Sequence, residues 1–480
     1  MLFNSLHFVL FFPIVIAIYF LLGRKARTIW LLLASYYFYM SWKPEYATVI
    51  LGSTIIDYFT ARKIASSSSK KIRKRWLSLS ILVNLGILFS FKYLDFFGQS
   101  ANEIFEAISI DFSFDKIGLI PLVGISFYTF QTMSYSIDVY RGTIKPERNF
   151  LRFALYVSFF PQLVAGPIER AKHLLPQFQN KYEFQYERIV SGLRKMLWGF
   201  FQKVVIADQL ARVVNQVYNN PQDQSGLTYL VGSFFFAFQI YCDFAGYSNI
   251  AIGAARVMGY DLMENFRQPY QSKSIREFWT RWHISLSSWF KDYVYIPLGG
   301  NRRVKWRWYF NLIITFLVSG LWHGANWTYV VWGAYHGTLL VIGIQIAKVL
   351  KSPRHIFDKI LRITAVFILT NIGWVFFRAK SMNQALDIFK KFIGIPNELS
   401  EMIQGIPKLT GLGSYDLQFI GYLICLVFGL YMIELIRGNS RVKEWYYRHS
   451  IVRFTSYCVL FYWIVFGGYF GETSFIYFQF

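Results

Sequence analysis

The chain has 480 residues, of which 54% are hydrophobic, 20% aromatic and only 16% charged. Charged residues make up about a quarter of an ordinary soluble domain, so this composition argues against a soluble protein and predicts a membrane protein. The formal net charge of +23 does not call for a nucleic-acid partner, because the cytoplasmic loops of membrane proteins are rich in Lys and Arg.

Long apolar runs recur along the whole sequence. A helix that crosses a bilayer needs about 20 mostly apolar residues, and roughly ten or eleven runs satisfy this requirement. The sequence therefore predicts an all-α, polytopic transmembrane protein of about 11 spans, with additional re-entrant or amphipathic helices. We expect residues 1–480 to form a single integral membrane domain.

The first apolar run, residues 3–22, lacks the preceding basic segment and the small-residue cleavage site of a signal peptide, so we predict a retained span. Shorter or more polar candidates are also compatible with buried or re-entrant segments. The further candidate spans lie near residues 28–42, 45–61, 77–97, 117–140, 150–165, 189–206, 228–258, 309–322, 328–350, 358–377, 415–436 and 451–470.

The links between the first predicted spans alternate in charge. Basic residues are concentrated at positions 24–27, 62–75 and 141–152, whereas the link at 98–116 carries several acidic residues. Because Lys and Arg are enriched in cytoplasmic links, this alternation predicts an extracytoplasmic N-terminus.

The segment 275–290 has the periodicity of one amphipathic helix. Its apolar positions recur at spacings of three and four, and a polar stripe beside them contains Arg276, Thr280, His283 and Ser287. One interpretation is an interfacial helix with tryptophans at headgroup depth. The other is that the polar stripe, with His283 on it, forms one wall of an internal site.

His323 lies between two long apolar runs. An ionisable residue at membrane depth is a functional candidate, and burial favours a neutral imidazole that can accept a proton. The alternative is a hydrogen-bonded packing residue. His336 follows thirteen positions later, roughly 140° away on a continuous helix, so both can face one site only if the helix breaks at residues 324–326.

Other polar residues recur inside apolar runs. Gln239, Asp243 and Tyr247 are spaced by four residues, and residues 126–132 contain a second polar group. Lipid cannot satisfy these side chains, so we expect them to converge on a cavity or a buried hydrogen-bond network. A transporter would show the same pattern. The three cysteines have no metal-binding or disulfide spacing, and we predict no metal site.

Six short motifs are distributed along nearly the whole chain. They are residues 1–5 (MLFNS), 162–168 (QLVAGPI), 241–248 (YCDFAGYS), 278–287 (FWTRWHISLS), 295–300 (YIPLGG) and 320–324 (GLWHG). Together these motifs resemble the membrane-bound O-acyltransferases, and within them the branch of alginate O-acetyltransferase membrane subunits. The closing residues 475–480 (FIYFQF) favour the acetyl branch.

The resemblance implies a central tunnel that holds two catalytic residues, which match His323 and His283. It implies a thioester donor entering from the cytoplasm, with acetyl-coenzyme A as the expected donor and no bound cofactor. The acceptor would be a polysaccharide outside a bacterial cytoplasmic membrane, reached directly or through an extracytoplasmic partner transferase. Residues predicted to bind substrate or support the site are Asp243, Gln239, Trp322, Asn326, Arg281 and Ser287.

The predicted function is therefore membrane-bound O-acetyl transfer, with His323 as the general base and His283 orienting the acceptor or stabilising charge. Three alternatives remain at this level. One is D-alanyl transfer from a carrier protein to teichoic acid, and another is acylation of a lipid. The third is a polysaccharide or proton-coupled transporter, against which we find no internal repeat.

Overall fold

The computed structural model describes residues 1–119, 122–221, 224–349, 355–403, 415–471 and 475–478. Within these ranges the regular structure is helical and contains no strand, which confirms the all-α prediction. The chain forms two compact units. The first comprises Met1–Met196 and Ile250–Glu264, and the second comprises Leu197–Asn249 and Asn265–Phe480. The expectation of a single domain stays a prediction.

The first nine α-helices follow one another through the N-terminal part of the chain. They are α1 Leu6–Leu21, α2 Arg24–Met40, α3 Tyr46–Ser66, α4 Lys70–Leu88, α5 Leu94–Ala107, α6 Ile125–Arg141, α7 Phe150–Ser158, α8 Ala171–Leu174 and α9 Tyr186–Phe200. A π-helical turn, Phe89–Tyr93, joins α4 to α5, and a 3₁₀ turn covers Leu175–Gln179.

The remaining helices carry the predicted site. They are α10 Asp208–Asn219, α11 Gly226–Met258, α12 Ile275–Arg281, α13 Ile284–Phe290, α14 Lys305–His323, α15 Trp327–Val349, α16 Ile356–Arg378, α17 Met382–Ile393, α18 Ile395–Ile403, α19 Leu417–Arg437, α20 Ser440–Arg448 and α21 Ser450–Gly467. Shorter turns are π-helical at Phe201–Ala207 and Lys291–Tyr295, and 3₁₀ at Pro269–Gln271 and Ile476–Phe478.

Six helical segments of the described chain are long and apolar enough to cross a membrane. α1 is apolar but shorter. This confirms a multi-pass membrane protein, whereas the count of about 11 spans stays a prediction. The six segments are Lys70–Ala107, Gly226–Met258, Trp327–Val349, Ile356–Arg378, Leu417–Arg437 and Ser450–Gly467.

Two predicted spans differ from the helices that form. The candidate 150–165 is helical only as far as Ser158, and the following residues are buried but not helical. Pro161 and Pro167 explain this, since proline lacks the amide hydrogen that a helix interior needs. In the candidate 117–140 the helix α6 begins at Ile125, and Gly124 before it has a left-handed conformation. Irregular backbone is tolerated at membrane depth where protein surrounds it.

A buried polar network links three helices of the first unit. Asp57 on α3 is 0% exposed and accepts hydrogen bonds from Ser80 and Asn84 on α4 and from Ser136 on α6. Thr132 on α6 extends the network by donating to Asn84 Oδ1. Thr132 belongs to the polar group at 126–132 that was expected to join a buried network, whereas Asp57, Ser80, Asn84 and Ser136 were not predicted as members.

Helices α14 and α15 form a tightly packed hairpin in the second unit. A Cβ atom at Gly320 would overlap the carbonyl oxygen of Tyr329, and one at Gly333 would overlap the carbonyl oxygen of Phe316. Small residues allow two membrane helices to approach this closely. The hairpin thereby fixes the end of α14, where His323 lies.

Candidate active site around His283 and His323

His323 is the last residue of α14 and is only 3% exposed. The helix ends because Gly324 is extended, with φ −163° and ψ 153°. A Cβ atom at Gly324 would overlap the ring of Tyr329, so the backbone at this turn leaves no room for a side chain. Aromatic rings surround the imidazole, with centroid distances of 5.0 Å to Trp322, 5.0 Å to Trp332, 5.3 Å to Phe377 and 5.8 Å to Tyr477.

His336 lies on α15, the helix that follows the one ending at His323. α15 begins only at Trp327, so the two histidines do not lie on one continuous helix. The ring of Trp332 contacts both imidazoles, at a centroid distance of 5.0 Å in each case. His336 therefore packs on the same ring as His323 rather than being turned away from it.

His283 divides the predicted amphipathic helix into α12 and α13. Its backbone is left-handed, with φ 43° and ψ 55°. For a residue other than glycine, such a conformation costs about 1–3 kcal/mol and persists only where the surroundings hold it. The prediction of one continuous helix over 275–290 was therefore wrong, and the break turns His283 into the interior, where it is 1% exposed.

Asn265 holds this turn through its backbone and its side chain. Its carbonyl oxygen accepts from the Ile284 N–H at 2.9 Å. Its Oδ1 accepts from the Ser285 N–H at 3.2 Å and from Ser285 Oγ at 2.9 Å. His283 Nδ1 lies 3.1 Å from the same oxygen. These contacts stabilise the left-handed residue.

The contact with Asn265 also indicates the tautomer of His283. The Asn265 atom that faces a backbone N–H must be its oxygen, so His283 Nδ1 must be the protonated nitrogen that donates to it. In a neutral imidazole the lone pair then lies on Nε2. Burial lowers the pKa of His283 to about 3, which keeps the ring neutral at physiological pH.

Two aromatic side chains contact both predicted catalytic residues. The Trp322 ring lies 5.0 Å from His323 and 6.1 Å from His283, and the Tyr477 ring lies 5.8 Å and 6.4 Å from them. We call His283, His323, Trp322 and Tyr477 the histidine cluster. Two residues forty positions apart in sequence thus share one aromatic environment, as the resemblance implied.

Asp243 lies beside the histidine cluster rather than in it. Its carboxylate forms an ion pair with Lys203 at 2.7 Å and accepts the Ile476 N–H at 2.8 Å. The neighbouring Phe244 ring packs on His283 at 4.6 Å. Gln239, one turn earlier on α11, is buried, and its side-chain oxygen has no hydrogen-bond partner among the described residues.

The other predicted supporting residues make local contacts. Arg281 pairs with Glu277 at 2.7 Å. Ser287 Oγ donates to the Trp282 carbonyl at 3.2 Å. Asn326 Oδ1 accepts the Thr328 N–H at 3.0 Å and so caps α15, while Asn326 Nδ2 donates to the Lys380 carbonyl. Their predicted roles with substrate stay predictions. No group of three or more His, Cys, Asp or Glu side chains that could hold a metal ion occurs in the described ranges.

Sequence reasoning missed three residues around the cluster. Lys203 could have been found, because it is an ionisable residue inside the apolar run 197–207. Tyr477 was used only as part of a family motif. Asn265 lies in an irregular segment after α11, where no periodicity indicates which side chains turn inward.

Comparisons with known proteins identify the family of this chain. A model of the membrane-bound O-acyltransferase family, MBOAT, matches residues 145–385, a range that includes both histidines. The chain is 40% identical over 427 residues to the probable alginate O-acetylase of Pseudomonas aeruginosa, covering 88% of this chain and 80% of that protein. The protein belongs to the membrane-bound O-acyltransferase family and is an acyltransferase.

Two further relatives differ in the substrate that their names give. The peptidoglycan O-acetyltransferase of Helicobacter pylori is 36% identical over 427 residues, covering 82% of this chain and 80% of that protein. The teichoic acid D-alanyltransferase of Bacillus subtilis is 29% identical over 289 residues, covering 55% of this chain and 70% of that protein. The similarity therefore extends over acetyl- and D-alanyltransferases.

Proposed function

We propose that this protein transfers acetyl groups from a cytoplasmic thioester, acetyl-coenzyme A, to a polysaccharide outside the bacterial cytoplasmic membrane. The acetyl group reaches the polysaccharide directly or through an extracytoplasmic partner transferase. Support comes from the alginate and peptidoglycan O-acetylating relatives, which are more similar over more of the chain than the D-alanyltransferase. The observation that carries the proposal is that two buried histidines share the Trp322 and Tyr477 rings.

In the proposed reaction His323 acts as the general base. The acceptor hydroxyl oxygen attacks the thioester carbonyl carbon while its proton passes to the imidazole. The tetrahedral intermediate then collapses, the carbon–sulfur bond breaks, and the proton passes on to the leaving thiolate. General-base assistance of this kind contributes about 10²–10⁴ in rate.

His283 has a complementary role in this proposal. With its Nδ1–H directed to Asn265, the neutral ring presents a lone pair at Nε2. Nε2 can therefore accept a hydrogen bond from a second hydroxyl of the acceptor and so orient the attacking hydroxyl, whose own hydrogen faces His323. Stabilising an oxyanion would instead require a donor at Nε2, so the tautomer favours the orienting role.

The donor would approach from the cytoplasm. Arg302, Arg303 and Lys305 are exposed at the start of α14, and a cluster of positive charge attracts an anionic, phosphate-bearing donor. Under the positive-inside rule these residues lie on the cytoplasmic side, and the N-terminus lies outside.

The second candidate is D-alanyl transfer from a carrier protein, which the Bacillus subtilis relative favours. A transporter does not fit these comparisons, because the family and the relatives named above are acyltransferases.

A donor comparison in proteoliposomes tests the proposal. Purified protein receives acetyl-coenzyme A labelled in the acetyl group or a carrier protein loaded with labelled D-alanine, and thioester cleavage that depends on an acceptor polysaccharide is measured. We expect acetyl-coenzyme A to be cleaved, and the His323→Ala variant to lose at least about 100-fold in rate. Use of the D-alanyl donor alone, or full acetyl transfer by a folded His323→Ala variant, would contradict the proposal.

A further inference from the structure

The described C-terminal segment, residues 475–478, begins with two buried residues beside α11. Phe475 and Ile476 are each only 1% exposed. Ile476 begins a short 3₁₀ turn, and its N–H donates to Asp243 Oδ2 at 2.8 Å. A hydrogen bond to a charged acceptor is stronger than one between neutral groups, so this contact fixes the backbone at Ile476.

The same segment forms one wall of the histidine cluster. The Tyr477 ring packs on Phe244 at 4.4 Å, in addition to its contacts with both histidines. Phe475 packs on Tyr247 at 5.0 Å. The position of the Tyr477 ring therefore depends on where the backbone of Ile476 is held.

Lys203 fixes the orientation of Asp243. Its ammonium group lies 2.7 Å from Asp243 Oδ1 and 2.8 Å from Asp208 Oδ1, and all three side chains are buried. One Asp243 oxygen thus faces Lys203 and the other faces the Ile476 N–H. A Cβ atom at Gly246, on the next turn of α11, would lie 2.8 Å from the Gly199 carbonyl oxygen. Because the backbone at Gly199 lies this close to α11, Lys203 is near enough to pair with Asp243.

A buried ion pair is weak evidence for stability, because removing charges from water costs about as much as their attraction returns. The orientation that this one imposes on Asp243 points to a different role. We propose that Asp243, oriented by Lys203, anchors the C-terminal segment and thereby positions Tyr477 against His323 and His283 for acyl transfer. Asp243 is then a positioning residue, and this role in the reaction rests on the proposed function.

The Ile476→Pro variant tests the anchor most selectively, because proline removes the N–H and leaves Asp243 and Lys203 intact. Ile476→Val is the matched control, since it keeps the N–H and nearly all the packing. Hydrogen–deuterium exchange of the C-terminal peptide in the full-length protein measures the anchor without any assay of activity. We expect at least tenfold faster exchange in Ile476→Pro than in the wild type and in Ile476→Val.

The Asp243→Asn variant changes the acceptor of the same hydrogen bond. The Asn side chain can still accept the Ile476 N–H, but the ion pair with Lys203 is lost. We therefore expect the exchange rate of the C-terminal peptide to lie between the rates of Ile476→Val and Ile476→Pro. Unchanged exchange of the C-terminal peptide in both Asp243→Asn and Ile476→Pro would overturn the anchor.

Kinetics then separate positioning from a general structural role. Because the donor does not depend on the segment in this proposal, Ile476→Pro should lower kcat about tenfold or more with the donor KM changed less than about twofold. Ile476→Val should keep the kcat of the wild type. Release of the segment without a change in kcat would overturn the positioning role. If wild-type protein transfers no acetyl group, the proposed function fails, while the exchange comparison still decides whether Asp243 holds the segment.

Discussion

Two regions of the molecule bury polar side chains in opposite ways. In the first unit, hydroxyl and amide groups of Ser80, Asn84 and Ser136 donate to the carboxylate of Asp57. In the second unit, the imidazoles of His283 and His323 are enclosed by aromatic rings. Both regions lie among apolar helices, but hydrogen-bond donors surround Asp57 and aromatic rings surround the two imidazoles.

The difference separates a structural network from a reactive site. A carboxylate bound by several fixed donors stabilises one arrangement of helices, and removing it leaves those donors unsatisfied. A neutral imidazole among aromatic rings has the chemistry of a proton acceptor in a site that excludes water. We therefore expect substitutions in the Asp57 network to change stability, and substitutions in the histidine cluster to change rate. Four predictions test this comparison.

Of these four, the largest effect is expected for His283→Ala in the second unit. Without the imidazole the acceptor loses the hydrogen bond that orients its attacking hydroxyl, and we expect kcat/KM to fall about 100-fold, within the range of general acid–base and orientation effects. Single-turnover acetyl transfer by purified protein is the measurement, and the thermal midpoint is the control for folding. A loss of less than tenfold would make His283 a packing residue.

A change at Asn265 should act through His283. In Asn265→Asp a carboxylate lies beside Nδ1 and favours the imidazolium form, so the pKa of His283 rises from its value of about 3. Because only the neutral ring can accept a hydrogen bond from the acceptor, activity should be lost at a higher pH than in the wild type, and we expect about a tenfold loss at pH 6. The pH–rate profile is the measurement. An unshifted acidic limb would contradict the tautomer assigned here.

A substitution in the Asp57 network of the first unit should lower stability rather than rate. Asp57→Ala leaves Ser80, Asn84 and Ser136 without their shared acceptor, and each buried polar group left unpaired costs about 1–3 kcal/mol. We expect a lower thermal midpoint, with kcat per folded molecule within about twofold of the wild type. A large fall in kcat at unchanged stability would remove the contrast between the two regions.

The smallest effect is expected for Arg281→Gln. The guanidinium pairs with Glu277 on the same helix, and partly exposed pairs of this kind contribute about 0–1 kcal/mol. We expect kcat/KM to change less than about threefold. A loss above tenfold would instead support the substrate contact predicted from the sequence.

The sequence predicted the parts of this account that depend on composition and motif. Long apolar runs predicted the helical membrane class, and the candidate span 309–322 ends one residue before His323, the last residue of α14. The break at His283 could not be predicted. The periodicity of 275–290 is that of one helix, and the side chain that stabilises the break, Asn265, lies in a separate irregular segment.

The neighbours of the histidines were harder to predict for a related reason. Whether His336 lies near His323 depends on a turn at Gly324, and the sequence offered this turn only as a possibility. The contact between Asp243 and Ile476 joins residues more than 200 positions apart, and no local pattern encodes such a pairing.

The central claim is that His323 accepts a proton in acyl transfer, whereas Asp57 only holds helices together. A paired measurement tests it most directly. His323→Gln and Asp57→Asn are purified, their folded fractions are measured, and acceptor-dependent release of coenzyme A is followed in a single turnover. The account predicts that His323→Gln loses at least about 100-fold in rate with little change in thermal midpoint, and that Asp57→Asn keeps its rate per folded molecule but loses stability. Wild-type rate in a folded His323→Gln variant would contradict the account.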